Sequence, residues 1–542
     1  NAFSSSHGDA GNDINVNPVY ERDITGEGIR IAVSDTGAEI NHDDLYQNLL
    51  SGKHKNYTLD APYYGTPVAS DAHGTAVSSL IGAKGWNNEG SMGVAPNAKL
   101  AVFQFLMGPG SSSVLIDQAS GDFDIFNYSY GDYQPYDVSS DSFYVDHLRD
   151  RVKNGRGGLG SFFVKAAGNE HASSCFPHNA NAPWENELPY IIVTGAVDAY
   201  GERSKYSNAG SNLWVSAPGG SYGYDDSGPG NEPAIMAADL PTCFKGYSKA
   251  SPYQINAFEY GHSLNPKCNY TSTMNGTSAS APIVSGVIAL MLEQNPNLGW
   301  RDVKHILAST AKKVDAFTNA WPYRQHPSNY LGNCNSYNLS GHVYEQGWVQ
   351  NSTGISFNNY YGFGAVDADA AVKMAQDPST NARGDWLPMP AMVETNPYFV
   401  DTDFSSGTLD KTIPDADPDG VTDIISVGVN ENIPVTSSFV VESVQVKVSV
   451  THDFSGEVGV ELVSPSDTKS ILLNINNSFL NPKCDENDNN CRIDKNLNIT
   501  LTSHAFYGES AIGDWTLKVI DGMDQDEGKL TGWKLNILGH NP

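Results

Sequence analysis

Ser278 sits in the stretch NGTSASAP (275–282), among glycine and alanine residues too small to cover it, just ahead of the apolar run IVSGVIALMLEQ. A serine at such a place is either a plain helix cap or a nucleophile that must stay reachable. Its hydroxyl is a weak nucleophile and needs a base to take its proton. His73, in DAHGTAVSSLIGA, can do that near neutral pH. The imidazolium so formed needs a fixed carboxylate on its other nitrogen, which Asp35 in VSDTG offers. A tetrahedral intermediate would carry an oxyanion. The amide of Asn169, in AAGNE, can donate to it, as can the backbone N–H of Ser278 at a helix start. Singly, each residue has an ordinary explanation, such as a strand-end turn or a helix opening. Together the four types fit nucleophilic attack on a carbonyl, and the small neighbours of Ser278 leave room for an acyl group.

Positioning them requires a sheet. GIRIAVSD (28–35), AKLAVFQF (98–105), FDIFNYSYG (123–131), GSFFVKAAGN (160–169) and YIIVTGAV (190–197) are short apolar or β-branched runs. Helical patterns cover 74–83, 141–153, 279–293 and 300–311. Strands alternating with helices predict an α/β fold, a parallel sheet covered by helices on both faces. Ligands on such sheets gather at the carboxyl ends of strands, and Asp35, Ser129 and Asn169 all fall at such ends. After about residue 378 the texture changes to Pro-, Asp- and Gly-rich turns such as KTIPDADPDGVTD, followed by period-two alternation. Val444, Val446, Val448 and Val450 alternate with polar residues, as do Val458, Val460 and Leu462, then Trp515, Leu517 and Val519, then Trp533, Leu535 and Ile537. That pattern predicts an all-β sandwich or barrel with one face buried.

The chain has 542 residues, 62 acids and 32 bases, for a formal net charge of −30. This argues against nucleic acid and anionic membrane as partners, since both reward clustered Lys and Arg. No apolar run is long enough to span a membrane. The first residues lack a basic start and an apolar core, so the chain is read as cytosolic or as one whose signal peptide has been removed. The six cysteines favour the second alternative. Cys243 and Cys268, and Cys484 and Cys491, bracket irregular stretches without zinc-ligand spacing, which suggests disulfides and an oxidising compartment.

The order Asp, His, Asn, Ser, with DTG, HGT, AAGN and GTSASAP, resembles the subtilisin-type serine proteases. The match extends to NDINVNPVYERDITGEGIRIAVSDTGAEINHDDL, GVAPNAKL, NPNLGWRDVKHILASTA and YGFGAVDADAAV, which are similar to the kexin and furin branch. VTHDFSGEVGVELVSPSDTKSILL and FYGESAIGDWTLKVIDGMDQDEGKLTGWKLNILG resemble the P domain of that branch. The resemblance implies a subtilisin-like catalytic domain over 1–383, with insertions near 217–268 and 316–357, and a β-sandwich or jelly-roll P domain over 384–542. It implies a secreted, monomeric kexin-like endopeptidase acting on protein and peptide substrates, with a propeptide or a separate chaperone or inhibitor. Asp35, His73 and Ser278 would form the triad and Asn169 the oxyanion donor. Ser129, Tyr130 and Gly131 would pair with the substrate backbone, with Ala166, Ala167 and Gly168 as the facing wall of the first pocket. A calcium ion would be held by the side chains of Asp44 and Asn87 and the carbonyls of Lys84, Glu89 and Ser91. The loop KGWNNEGSMG does offer the hard oxygens calcium prefers. An N-terminal acid completes that site in relatives, and here Asp9, Asp13 or water would have to substitute.

The sequence departs from the branch in places that bear on specificity. Thr36 stands where relatives carry a second Asp that faces a basic substrate residue. Asp132 and Asp137 are approximate counterparts of the acids after the substrate strand, which Asp141 also follows closely, and the acid expected downstream of Asn169 has no clean match. Cleavage after Lys or Arg, with a weak demand for a second basic residue, is expected, against a broad apolar first pocket. Two other functional readings are weighed. A binding protein built on this fold has no need of intact triad and oxyanion residues. An esterase would carry its triad in the chain order Ser, Asp, His, whereas the order here is Asp35, His73, Ser278.

Overall fold

The computed structural model describes residues 8–58, 71–106, 108, 110–131, 142–171, 178–223, 232–249, 256–316, 339–376, 389–399, 404–429, 435–475, 477 and 496–542. Asp132, Asp137, Asp141, Cys484, Cys491 and the expected boundary at 383/384 lie outside them.

Seven parallel strands form the first sheet: β1 (Arg30–Asp35), β2 (Lys55–Asn56), β3 (Lys99–Gln104), β4 (Ile125–Tyr128), β5 (Phe162–Ala166), β6 (Ile191–Val197) and β7 (Leu213–Pro218). Their order is β2-β3-β1-β4-β5-β6-β7. The near-continuous apolar composition of these strands reflects burial on both faces. Ile31, Val33, Ile125, Val164, Ile192 and Val215 join one core, and Ala32, Phe103, Phe126, Phe163, Ile191 and Val193 the other. Chain order reverses beside β1, between β3 and β4, which is where such sheets open a ligand crevice.

Among the described residues seven helices accompany this sheet: α1 (Asn17–Tyr20), α2 (His73–Gly82), α3 (Ser112–Gln118), α4 (Ser142–Gly158, its geometry broken at Gly155–Gly157), α5 (Thr277–Gln294), α6 (Trp300–Thr310) and α7 (Ala368–Met374). Thr277 to Leu292 are all buried, so α5 is covered around its whole circumference, and its hydroxyls find partners in the surrounding elements, as with Ser280 on the Ala217 carbonyl and Ser285 on Asn127. It packs on α2, α7 and strands β4 to β7. Two short hairpins, β8 (Ile235–Ala238) with β9 (Tyr270–Met274) and β10 (Val349–Gln350) with β11 (Ser356–Phe357), lie in or beside the expected insertions. Cys243 and Cys268 are disulfide-bonded within the first of these.

The C-terminal region is a sandwich of two antiparallel sheets. One has the order β12 (Met392–Glu394), β20 (Gly528–His540), β15 (Val440–Thr451), β18 (Asn496–Ser503), with β13 (Lys411–Ile413) also on β20. The other has β14 (Val421–Val427), β19 (Gly513–Asp521), β16 (Val458–Val463), β17 (Lys469–Leu473). The alternating residues read from the sequence, from Val444 to Ile537, form its core. The α/β sheet followed by an all-β sandwich is the architecture expected from the sequence.

The two parts interlock. Trp214 is 1% exposed, with its ring against His504 and Tyr507 at centroid distances of 4.7 and 5.7 Å. The Tyr507 hydroxyl meets His305 Nδ1 at 2.8 Å, and the Arg301 guanidinium grips Glu442 through two nitrogens. Ser211 Oγ donates to the Thr502 carbonyl at 2.7 Å, and Asn351 Nδ2 donates to the carbonyls of Ala505 and Tyr507 at 3.1 and 2.8 Å.

Candidate active site

Asp35 ends β1 and is wholly buried. His73 opens α2, and its Nδ1 lies 2.7 Å from Asp35 Oδ1. The approach depends on Gly74, because a Cβ there would sit 2.0 Å from the Gly37 carbonyl. Asp71 Oδ1 accepts the backbone N–H of His73 at 2.8 Å, one of the donors that a helix start leaves unpaired. The same oxygen accepts from the Thr36 hydroxyl at 2.8 Å, and Thr36 Oγ1 in turn accepts the N–H of Gly74 at 3.0 Å. Burial works against a charged His73 ring. The charge of Asp35, its hydrogen bond and the charge of Asp71 outweigh that and hold the imidazole pKa above its usual value.

Ser278 is the second residue of α5, 7% exposed. Gly276 precedes the helix at φ +106, a left-handed conformation that suits glycine. Pro282, four residues beyond Ser278, has no N–H, so the Ser278 carbonyl loses its intrahelical donor. The Ser129 hydroxyl supplies the replacement at 3.0 Å. In the other direction, Ser278 Oγ donates to the Ser129 carbonyl at 3.2 Å. The strand end and the helix start are thus clasped together, and the serine hydroxyl is turned to Ser129 rather than to His73. Catalytic hydrogen bonds commonly tighten only when substrate is bound.

Asn169 leaves β5 after the Ala166-Ala167-Gly168 run. Its Oδ1 accepts from the backbone N–H and the hydroxyl of Thr277, at 2.8 and 2.9 Å. A backbone N–H can only donate, so the amide orientation is fixed and Nδ2 is the atom left to face the cleft. Thr277 Oγ1 also accepts the N–H of Gly168 at 3.1 Å. Thr277 therefore aims the amide, a role that the sequence reading did not assign.

A cleft of about 490 Å³ joins these groups, lined among others by Asp71, His73, Asn169 and Ser278. Ser129, Tyr130, Gly131, Ala166 and Gly168 line it as well, while Ala167 is fully buried behind them. Tyr130 turns its carbonyl to the buried Lys165 ammonium, at 2.7 Å. Several lining residues went unnoticed in the sequence, among them Asp71 and Tyr247. Asp71 lay hidden in a helix-start motif, and Tyr247 belongs to the first insertion.

Asp44 is fully buried, and among the described residues no Lys or Arg pairs with it. Its carboxylate accepts Asn87 Nδ2 at 2.8 Å and the Ser91 N–H at 2.9 Å, and its carbonyl accepts the Lys84 N–H at 2.8 Å. The 84–91 loop is therefore wrapped on this acid, with the Glu89 N–H on Asn87 Oδ1 at 3.1 Å. The carboxylate is buried without a cationic partner, but the groups turned to it are N–H and O–H donors rather than the oxygens a hard cation needs. Asp9 and Asp13 make their contacts elsewhere: the Asp9 N–H with the Ala199 carbonyl, Asp13 with Asn15 and Lys312.

The subtilase family matches residues 26–364, and the proprotein convertase P-domain matches residues 441–537. The chain is 31% identical to the Aeromonas extracellular serine protease of Aeromonas sobria, over 99% of this chain and 88% of that one. It is 27% identical to human proprotein convertase subtilisin/kexin type 5, covering 97% of this chain but 24% of that much longer protein. Among solved structures, the Aeromonas sobria serine protease (ASP) in complex with the chaperone (ORF2) superposes with a TM-score of 0.83 at 29% identity, covering 100% of this chain and 92% of that one. The chain thus belongs to the subtilase family of serine proteases, with kexin-like relatives and a proprotein convertase P domain after the catalytic region.

Proposed function

We propose that this protease is secreted and cleaves peptide bonds after Lys or Arg, with Ser278 as nucleophile, His73 as general base, Asp35 as its orienting carboxylate and Asn169 as oxyanion donor. The observation that carries the reading is the Asp35–His73 contact of 2.7 Å, opening on the cleft that also holds Ser278 and the free amide nitrogen of Asn169. In the reaction the Ser278 hydroxyl leaves the Ser129 carbonyl and turns to His73 Nε2. Its oxygen bonds to the substrate carbonyl carbon as its proton passes to His73. Asn169 Nδ2 and the Ser278 N–H hold the resulting oxyanion. His73 then protonates the leaving amine, and water releases the acyl group by the same steps in reverse. Asn169→Ala is expected to reduce kcat by about 10²–10³ with little change in KM, the loss established for this donor in subtilisin. Unaltered turnover in steady-state assays would remove Asn169 from the mechanism.

Preference for a basic residue rests on charge. Among its described lining residues the cleft has the acids Asp71 and Glu170 and no Lys or Arg. The acid missing at Thr36 is supplied from the next element, since Thr36 holds Asp71 by its hydroxyl. Asp71→Asn keeps the acceptor oxygen and removes the charge, so two effects are expected together. Discrimination for a basic residue before the cleaved one should weaken. The acid limb of kcat/KM should move to lower pH, because the neutral imidazole is the active form and a lost negative charge eases its deprotonation. An unchanged pH profile would mean that Asp71 does not act on His73.

One observation favours an apolar first pocket instead. Glu185, close to the lining residue Pro183, is neutralised by the buried Lys165 at 2.9 Å. Peptides differing only at the cleaved residue decide between the two. A kcat/KM for Arg at least tenfold above Phe or Leu is expected, and equality or a preference for Phe would overturn the basic reading while leaving the triad untouched.

The proposal includes a calcium ion on Asp44, Asn87 and the carbonyls of Lys84, Glu89 and Ser91, where it would stiffen the 84–91 loop. It also includes a separate chaperone of the kind crystallised with the Aeromonas sobria serine protease. Secretion is supported by the extracellular relative and by the Cys243–Cys268 disulfide. No helix among the described residues is long and apolar enough to cross a membrane.

A further inference from the structure

A second convergence of acids lies far from the cleft, in the β-sandwich. His452, Glu457 and Asp521 are buried, and one ligand-capable atom of each lies within 4.8 Å of the others. Glu457 ends a short 3-10 turn ahead of β16, and Asp521 ends β19. Glu457 is 6% exposed and its Oε2 is buried with no hydrogen-bond partner. Among the described residues neither carboxylate pairs with Lys or Arg. Leaving a buried carboxylate oxygen without a donor or counter-charge is costly.

The histidine tells which cation would relieve this. The backbone N–H of Phe454 donates to His452 Nδ1 at 3.0 Å, so that nitrogen carries no hydrogen in the neutral ring. Nε2 therefore holds the hydrogen and donates it to Asp521 Oδ2 at 3.0 Å. A ring fixed this way offers no lone pair to zinc or copper, which would take an imidazole nitrogen. What it leaves is carboxylate oxygen, with His452 orienting Asp521 from behind as ligand-supporting groups do. Such a donor set suits a hard ion.

Two acidic loops flank the cluster. The turn after Asp521 carries Asp524 and Asp526, and the loop after β13 reads Asp415-Ala-Asp417-Pro-Asp419-Gly420, the D-x-D-x-D-G spacing of calcium loops. The loops are tied by the Gln525 N–H donating to Asp415 Oδ2 at 3.0 Å.

We infer that Glu457 and Asp521 hold a calcium ion in the β-sandwich, with Asp415 and Asp526 adding negative charge around it. The site would also brace the junction with the catalytic region. Ala416 packs with Leu339, Tyr344, Ile475 and Ile520, and Pro418 approaches Gly341. The test counts calcium ions on the whole chain by native mass spectrometry and titration calorimetry, using calcium alone as the probe, for the wild type, Glu457→Gln and Asp44→Ala. Glu457→Gln is expected to bind one ion fewer than the wild type, and Asp44→Ala is expected to keep the ion of the sandwich. Should Glu457→Gln not fold, Asp526→Asn, at a half-exposed position, is expected to weaken that ion's affinity at least tenfold. The wild-type count and affinity in whichever of the two variants folds would overturn the inference, as would zinc binding there without calcium binding.

Discussion

Ser278→Ala is expected to abolish peptide hydrolysis while leaving the protein folded. The size of the loss is about 10⁶-fold in kcat, as established for the nucleophile of subtilisin. The structure says why the fold should survive. The hydroxyl makes one hydrogen bond, to the Ser129 carbonyl, whereas the clasp from Ser129 Oγ ends on the main-chain carbonyl of residue 278 and is untouched. A single lost hydrogen bond costs about 1 kcal/mol, small against the stability of a domain. Thr277 and Asn169 keep their contacts, so the oxyanion donors stay in place and some acceleration over water should persist. Circular dichroism and thermal melting check the fold, and a fluorogenic peptide checks turnover. A folded variant with more than about 1% of wild-type kcat would show that another group is the nucleophile.

Removing the β-sandwich should be as damaging, by a different route. A fragment ending at Gln376 is expected to be insoluble or inactive. It would lose Glu442 and the Pro390 carbonyl, the partners of the Arg301 guanidinium. It would also bare the Trp214 ring and unpair Ser211 and Asn351. Domains are stable by only about 5–15 kcal/mol, so losing several such contacts at once is expected to unfold the catalytic region or expose it to aggregation. A soluble fragment with wild-type kcat/KM would mean that the sandwich is merely tethered.

Much of the architecture was legible because its signals are local. Five of the seven parallel strands and the four long helices follow from apolar runs and periodicity, and Val444 to Ile537 declared the sandwich by alternation. Strand β7 was not read, since LWVSAP is short and ends in proline. Asp35, His73, Asn169 and Ser278 could be named from their types and spacing; His73, Asn169 and Ser278 line one cleft, with Asp35 buried behind His73. What escaped depends on contacts between distant segments. Thr277 aims Asn169 across 108 residues, Ser129 stands in for the donor that Pro282 lacks, and Asp71 reaches Thr36. No window of sequence reports such pairings. The composition did announce an acidic chain, but which acids face a substrate is a matter of geometry.

The interlock also sets a schedule for the chain. The candidate site runs from Asp35 to Ser278, whereas β20, which is central to its sheet, is made of residues 528–540. That strand pairs with β12, β13 and β15, and β15 cannot be covered on that side until it arrives. During synthesis every residue of the cleft leaves the ribosome long before the sandwich that braces α6 and Trp214 can close. A nascent chain therefore carries a complete set of site residues without a finished scaffold. If the sandwich is required as predicted above, proteolytic competence must wait for the last strand of the chain.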